Sequence, residues 1–265
     1  MNSDGYSNLS KDEVFLISKA EFDRLQLITG AYARTLYNSN RKAADVLSRL
    51  TNKGRLIQIQ RGKYLLVPIK APNQQWSPNE YEVAALWMGE APYYVAYFTA
   101  FNYWGFTEQI PQTVYIANLK MNEKKTIGKI KYEAVKIDRK KYYGIKTIVV
   151  NGTKVCISDK ERTLVDFVCK PLGSINNIET VMKNFVSPNN KGIDLDKFVR
   201  YLIKYPVISV RKRAGFFMEK AGCAQAWLDK LKNNLGPQNS YAALDPDKPT
   251  RKGPVDRTWR IIDNR

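Results

Sequence analysis

The chain has 265 residues, of which 44% are hydrophobic and 26% charged, and its formal net charge is +18. These proportions are those of a folded globular protein and exclude extended disorder except at the ends. The absence of histidine excludes His-based catalytic triads and most zinc sites, and three widely separated cysteines with no CxxC pair do not indicate a disulfide framework.

The strong positive charge predicts a polyanionic partner, for which nucleic acid, an anionic membrane surface and an acidic protein are the candidates. A lysine-rich surface without a partner is the alternative, and we favour nucleic acid. The longest apolar stretch, Tyr93–Trp104, is shorter than the roughly 20 residues that cross a bilayer. The N-terminus is polar and carries no signal peptide, so we expect a cytoplasmic protein without a membrane partner.

The first 70 residues predict three short helices followed by a β-hairpin. Apolar spacing and N-cap chemistry place the helices at Ser18–Thr29, Ala31–Tyr37 and Asn40–Lys53, with Gly54 as the C-terminal stop. Two β-prone runs, Arg55–Gln60 and Lys63–Val67, flank a tight turn at Arg61-Gly62. This order of elements is typical of a winged helix-turn-helix.

The rest of the chain predicts a larger domain of mixed structure. The expected helices are Pro78–Met88 with a capping box from Ser77, Ala91–Gly105, a helix from the capping box Ser158–Glu161 to Cys169, Ser174–Phe185, Asp194–Lys204, Ser209–Lys220 and Ala224–Lys232. The expected strands are Thr113–Ala117, Lys129–Ile137, Lys146–Val150, Thr153–Ile157 and Trp259–Ile262, with an Asn151-Gly152 hairpin turn. The predicted fold class is α+β: a winged helix-turn-helix at 1–70, then a mixed α/β domain at 71–265 with a mainly antiparallel sheet and a helical C-terminal part.

The third helix and the hairpin carry cationic and polar side chains away from the predicted apolar face. A helix that enters the major groove needs cationic donors for phosphates and polar side chains for base edges. A solvated helix face is the alternative explanation. The candidate DNA-binding residues are Arg41, Lys42, Ser48, Arg49, Asn52, Arg55, Arg61 and Lys63.

A second basic surface is a further candidate, formed by Lys136, Arg139, Lys140, Lys141, Arg211, Lys212 and Arg213. Exposed lysines that discourage aggregation explain the lysine pairs equally well. The run Arg211–Arg213 is the better candidate, because cations near a helix start are disfavoured unless they have a partner.

Enzymatic features are weak in this sequence. Gly173-Ser174 and Asp194-Leu195-Asp196 are similar to elements of nucleotidyltransferases, but Asp194 precedes a helical pattern and is better explained as an N-cap. Asp166 is expected to pair with Arg162, four residues earlier. We therefore predict no enzymatic activity, no catalytic residues, no metal and no cofactor.

Several segments together resemble one known family. The most specific are Arg61-Gly62-x-Tyr64, the aromatic segment Ala96–Gly105 and Ser158-x-x-Glu161-Arg162-Thr163-Leu164-x-Asp166. In this order they resemble the AbiEi family, the antitoxin and transcriptional regulator of AbiE type IV toxin–antitoxin systems, which act in abortive infection as a phage defence. The likeness extends over nearly the whole chain.

The resemblance implies an autorepressor that binds inverted repeats of double-stranded DNA in its own promoter. It also implies a C-terminal domain that counters a co-encoded nucleotidyltransferase-like toxin without a stable complex. Two alternatives stay open: a ligand-sensing winged-helix repressor in which Tyr93–Trp104 lines a pocket, and a nucleic-acid-processing enzyme that uses the winged helix for targeting.

Overall fold

A computed structural model describes residues 9–68, 78–171, 176–186, 192–237 and 240–265. The fold is of the α+β class, and the chain forms two compact units. The first unit extends to Gly89 and includes Lys125–Tyr132, whereas the second comprises Glu90–Lys124 and Glu133–Arg265. The first unit is therefore longer than the 1–70 domain that the sequence predicts. Within the described residues, no helix combines the length and the apolar character needed to cross a membrane.

The first unit contains four helices and a three-stranded antiparallel sheet. The strand order is β1-β3-β2, with Leu27 opposite Leu65 and Leu56 opposite Leu66. Its elements are α1 (Lys11–Phe22), β1 (Leu27–Thr29), α2 (Gly30–Leu36), α3 (Asn40–Asn52), β2 (Leu56–Gln60), β3 (Lys63–Leu66) and α4 (Glu80–Met88).

The predicted helix at Ser18–Thr29 is wrong in its bounds. The helix begins at Lys11 because Ser10 and Glu13 form a complete capping box, and it ends before Arg24, which has a φ of 55°. The spacing of Phe22, Leu25 and Ile28 is similar to that of a helix, but Ile28 lies in β1 and Phe22 is exposed.

The third helix and the hairpin are confirmed. The Ser39 hydroxyl accepts a hydrogen bond from the Lys42 amide at the start of α3, and Gly54 follows the helix with a φ of 69°. The expected apolar face of α3 is buried in the core of this unit: Ala43, Val46, Leu47 and Leu50.

Helix α4 begins two residues later than its predicted capping box requires. Asn79 is the N-cap and accepts from the amides of Tyr81 and Glu82, while Ser77 lies outside the described residues. Val83 and Trp87 are buried in α4, whereas Tyr81 and Ala85 are only half-buried. Ala84 and Met88 are buried as well, so the apolar face of α4 is formed by Val83, Ala84, Trp87 and Met88.

A six-stranded mixed sheet has the order β6-β7-β5-β4-β9-β8. Strand β4 pairs antiparallel with β5 and parallel with β9, and β9 pairs antiparallel with β8. The Asn151-Gly152 turn joins β8 to β9, as predicted. The strands are β4 (Tyr93–Val95), β5 (Thr113–Asn118), β6 (Glu123–Ile127), β7 (Ile130–Lys136), β8 (Ile145–Val150) and β9 (Thr153–Ser158).

The predicted helix Ala91–Gly105 is wrong. The segment contains β4 and the short helix α5 (Tyr97–Tyr103), separated at Ala96. A continuous apolar run lacks the period that distinguishes a buried strand from a buried helix. The run is nevertheless buried from Tyr93 to Phe101, so Tyr94 and Phe101 fill a core rather than line an open pocket.

The helical part of the second unit surrounds a large apolar core. Its helices are α6 (Lys160–Cys169), α7 (Asn176–Val186), α8 (Leu195–Lys204), α9 (Ile208–Lys220) and α10 (Gln225–Lys232). Asp159, not Ser158, caps α6 by accepting from the Arg162 amide, and Glu161 instead binds Lys197, so the predicted capping box is wrong.

The C-terminal tail forms a small second sheet. Its strands β10 (Ala242–Ala243), β11 (Val255–Asp256) and β12 (Ile261–Ile262) have the order β10-β12-β11. Trp259 precedes β12 and is fully buried in the helical core. The predicted strand at Trp259–Ile262 is thus confirmed at its end.

Candidate nucleic-acid interface

A groove of about 520 Å³ lies in the first unit between α2, α3 and the β2–β3 hairpin. None of the described residues that line it carries a carboxylate. Its polar lining consists of Arg34, Asn40, Ser48, Asn52, Gln58 and Arg61. The groove therefore combines cationic and hydrogen-bonding side chains without an opposing negative charge.

The hairpin turn is held at one end of this groove. Gly62 has a φ of 73°, a conformation that side chains rarely adopt, and its carbonyl accepts a hydrogen bond of 2.8 Å from the Gly30 amide. Thr29 caps α2 immediately before that contact. The tip that carries Arg61 is thus fixed to the start of α2.

Two arginines of the groove are available to a ligand. Arg34, in the last turn of α2, and Arg61, in the turn, are both exposed. Neither forms an ion pair or hydrogen bond with the part of the chain that the structure describes. A guanidinium in this state can donate to phosphate oxygens at little cost, because it loses no protein partner.

Helix α3 presents Ser48 and Asn52 to the groove. The two residues are one turn apart, exposed, and on the side of the helix opposite the core. Arg41 is also exposed but does not line the groove, and Lys63 is half-buried outside it. The structure therefore brings together three of the predicted DNA-binding residues: Ser48, Asn52 and Arg61.

The other cations of α3 lie on the side facing α1. Lys42 pairs with Asp12 at 2.8 Å, and Arg49 approaches the Glu13 carboxylate at 3.1 Å. These contacts partly neutralise both side chains. Lys42 and Arg49 consequently form a different surface from the groove, contrary to the single cationic face that the sequence predicts.

The structure corrects the inclusion of Arg55 among the candidate DNA-binding residues. Its side chain is fully buried, and its backbone amide donates to Leu50 while its carbonyl accepts from Val67. These bonds fix the start of β2 against the end of α3 and direct the side chain inward. Arg55 cannot reach a phosphate from this position.

Sequence reasoning missed Arg34 and Asn40. Arg34 lies in the last turn of α2, which the prediction did not consider, and Asn40 is the first residue of α3. A cation in the helix directly before α3 was the available signal for Arg34. No comparable signal identifies Asn40.

The second basic surface is largely wrong for Arg211–Arg213. Lys212 and Arg213 are buried. The Arg211 guanidinium donates hydrogen bonds of 2.6–3.0 Å to the backbone carbonyls of Leu202, Tyr205 and Asn234. The partner of Arg211 is thus the backbone at the C-terminal ends of α8 and α10, where it has a structural role. Lys212 and Arg213 instead donate to the carbonyls of Ser240 and Ala243 in the C-terminal tail, so the three cations do not form an exposed basic surface.

The remaining part of that predicted surface is at the surface of the second unit. Lys136, Arg139 and Lys140 are exposed, and Lys141 is half-buried with its ammonium 5.4 Å from the ring centre of Tyr205. Arg139–Lys141 forms a 3-10 turn that Asp138 caps.

Of the nucleotidyltransferase-like features, only Asp194 and Asp196 lie within the described residues. Asp194 caps α8 by accepting from the Lys197 amide, as predicted, and Asp196 binds Arg200 and Lys230. Gly173-Ser174 lies outside the described residues. Within the described ranges, no three acidic or cysteine side chains are grouped as metal ligands would be.

Glu13 links α1 to α3 and should make the first unit acid-sensitive. Burial raises its pKa, but hydrogen bonds from Lys53, from the Ser10 amide and from Arg49 outweigh burial, so its pKa is lowered. The Glu13 carboxylate therefore stabilises the folded first unit fully above the ordinary pKa of a glutamate. This stabilisation is lost as the pH falls through the lowered pKa of Glu13.

We expect Glu13→Gln to lower the free energy of unfolding of this unit by about 1–2 kcal/mol at neutral pH, since both cations are partly exposed. The difference from wild type should shrink as pH falls from about 5 to 3. Urea unfolding monitored by hydrogen exchange of the α1 and α3 amides measures the loss of stability and its dependence on pH. Asp12→Asn, which breaks the exposed pair with Lys42, is the control and should change stability by less than about 1 kcal/mol. Equal losses in the two variants would contradict the role of Glu13.

Comparisons with known proteins reveal a likeness of fold alone. No family model matches the chain, and no curated protein matches it. A solved structure of the RV2827C protein from Mycobacterium tuberculosis is similar in fold, with a TM-score of 0.64 and 13% sequence identity. The match covers 97% of this chain and 92% of that one. The fold of this chain therefore has a counterpart in that protein.

Proposed function

We propose that this chain is a DNA-binding transcriptional regulator and that its first unit is a winged helix-turn-helix. The order α1-β1-α2-α3-β2-β3 with the sheet order β1-β3-β2 supports this assignment. Helix α3 is then the recognition helix that enters the major groove of duplex DNA, and the β2–β3 hairpin is the wing.

The observation that carries the proposal is the groove with two arginines that have no partner among the described residues. Arg34 and Arg61 bind phosphates beside α3, and Ser48 and Asn52 meet base edges. The net charge of +18 adds a long-range attraction to DNA. Binding that depends on phosphates is salt-dependent, and with several contacts the affinity falls by about 10³-fold between 50 and 200 mM salt.

The resemblance to the AbiEi family extends the proposal to a biological role. The DNA is the inverted repeat in the chain's own promoter, and the second unit carries antitoxin activity against a co-encoded nucleotidyltransferase-like toxin. Co-expression of that toxin with the full chain tests the role through bacterial growth. Growth rescue that persists without DNA binding supports an antitoxin function of the second unit, whereas absence of rescue contradicts it.

Replacing the two groove arginines should weaken DNA binding. Each charge-assisted contact contributes about 1.5–3 kcal/mol, so Arg34→Ala/Arg61→Ala should lose about 10²-fold or more in affinity. The slope of log affinity against log salt should decrease by about 2. Titration of fluorescent upstream DNA at several salt concentrations measures both quantities.

The matched control removes a cation from the same unit outside the groove. Lys11 is exposed at the start of α1, and Lys11→Ala should change the affinity less than twofold at moderate salt. An affinity of the double variant equal to wild type, with an unchanged melting temperature, would remove the groove from the interface. Equal losses in the double variant and the control would show attraction by net charge alone.

A further inference from the structure

We propose that the second unit binds a small phosphorylated ligand in a cavity at the start of α9. The cavity has a volume of about 640 Å³, within the range of about 300–1,000 Å³ that is usual for small-molecule sites. Its walls are the segment Pro206–Ser209, the first turn of α9, and the chain around Ser240–Ala243 and Pro246–Arg251. This site is separate from the DNA groove, and the inference does not depend on DNA binding.

The charge of the cavity is entirely positive. Four cations line it, Lys212, Arg213, Lys248 and Arg251, and none of its described lining residues is acidic. None of the four forms an ion pair within the described parts of the chain. Two carboxylates, Asp245 and Asp247, act on Arg213 from a distance, but neither lines the cavity. The cavity therefore attracts an anion.

The two cations from α9 are buried and incompletely satisfied. Arg213 is 7% exposed and donates from Nε to the Ala243 carbonyl at 2.8 Å, but its terminal nitrogens make no hydrogen bond with the described residues. Lys212 is 2% exposed, and its ammonium donates to the Ser240 carbonyl. Burial of cations without a carboxylate is costly, and a bound anion would offset that cost.

The start of α9 adds backbone donors to the same cavity. The helix has 13 residues, and its N-cap, Val207, provides no side-chain hydrogen bond to the first turn. Ile208 and Ser209 line the cavity. An uncapped helix start offers free amides and the positive end of the helix dipole, which together suit a phosphate group.

The shape of the cavity favours a nucleotide over a bare phosphate. Tyr241 lines the cavity and is 45% exposed. Three prolines give apolar walls beside it: Pro206, Pro246 and Pro249. We assign the phosphates to the cationic end at α9 and a planar base to the Tyr241 ring.

Calorimetric titration of the full chain with ATP, pyrophosphate and adenosine tests this site. We expect ATP to bind more tightly than pyrophosphate and adenosine not to bind. Lys248→Ala/Arg251→Ala removes the two exposed cations and should weaken ATP binding about 10-fold or more without unfolding the core. Tyr241→Ala should weaken ATP binding but leave pyrophosphate binding unchanged.

The matched control is Lys252→Ala/Arg257→Ala, which removes two exposed cations of the same tail outside the cavity. It should keep ATP affinity within twofold. Absence of ATP binding at millimolar concentration would overturn the site, and an equal loss in the two double variants would show non-specific attraction. ATP binding unaffected by Tyr241→Ala would overturn the assignment of a nucleotide. Loss of duplex DNA binding with unchanged ATP binding in Lys248→Ala/Arg251→Ala would assign these cations to nucleic acid instead.

Discussion

Replacement of Arg162 by leucine should lower the free energy of unfolding of the second unit by about 3–5 kcal/mol, because it leaves a buried carboxylate unpaired. Arg162 and Asp166 lie one turn apart on α6, and both side chains are at most 2% exposed. The guanidinium donates to both carboxylate oxygens, from Nη2 at 2.8 Å and from Nε at 3.2 Å.

Arg162 also joins α6 to three other parts of the second unit. Its guanidinium carbon lies 4.5 Å from the ring centre of Tyr143, 5.1 Å from that of Tyr205 and 5.7 Å from that of Tyr94. The Tyr94 hydroxyl accepts a hydrogen bond of 2.9 Å from Nη2. Because these contacts require a flat, forked cation, Arg162→Lys should also be destabilising.

The pH dependence separates loss of charge pairing from loss of packing. Burial raises the pKa of Asp166, and Arg162 opposes this effect. The Arg162→Leu variant lacks the guanidinium that lowers the pKa of Asp166. The pKa of Asp166 in the folded state therefore rises further above its value in the unfolded state. The variant should then be most stable in acid and lose stability as pH rises through the raised pKa.

Hydrogen exchange of the α6 amides in urea between pH 5 and 8 measures this effect. The control is Arg162→Leu/Asp166→Leu, which removes both charges. Replacement of a buried pair by apolar residues is often neutral, so the double variant should regain most of the stability and the pH dependence should disappear. A double variant as unstable as Arg162→Leu would assign the loss to the aromatic contacts rather than to the unpaired carboxylate.

Local chemistry explains which elements the sequence predicts well. Helix α3 has an N-cap serine, an apolar face with helical spacing and a glycine after its end, all within 16 residues. The two hairpin turns, Arg61-Gly62 and Asn151-Gly152, are likewise determined by two residues that adopt or border positive φ. These local signals do not depend on contacts with distant parts of the chain.

Long-range pairing explains the elements that the sequence does not predict. Strand β1 is only three residues long and exists because Leu27 and Ile28 pair with β3, almost forty residues later. Strand β4 exists because Val95 pairs with Ile116 on one side and Ile157 on the other. Neither partner is identifiable from the local pattern, so both segments were predicted as helices.

The same limit applies to the candidate sites. Sequence spacing identifies which cations share a helix, but not which of them meet a carboxylate from another element. Arg49 meets Glu13, 36 residues earlier, and Arg213 meets the Ala243 carbonyl, 30 residues later. Arg61 is exposed, as expected for a residue in a hairpin turn, whereas its contact with DNA stays a prediction.

Trp259 should be the main anchor of the C-terminal tail. Its side chain is fully buried, its indole Nε1 donates to Glu219 at 2.9 Å, and the Lys232 ammonium lies 5.1 Å from its ring centre. Truncation of a buried aromatic residue to alanine costs about 3–5 kcal/mol, so Trp259→Ala should destabilise the second unit by this amount. Thermal unfolding and hydrogen exchange over residues 240–265 measure the loss, which an intact tail would contradict.

The contact between Trp259 and α9 predicts that Gly215→Ala lowers the stability of the second unit, the opposite of the usual effect of this substitution in a helix. Glycine in a helix interior is usually less stable than alanine by about 1 kcal/mol, but a Cβ at Gly215 would overlap the Trp259 ring. Gly215→Ala should therefore cost about 1–3 kcal/mol in wild type, the usual range for overpacking. In the Trp259→Ala background the ring is absent, and the same substitution should be neutral or stabilising.

Gly30→Ala, where the nearest atoms would lie 3.9 Å from the new Cβ, is the control and should lower stability in neither background. Additive effects of Gly215→Ala and Trp259→Ala would mean that the ring moves aside without cost, and the tail would then be held by its β-pairing rather than by this contact.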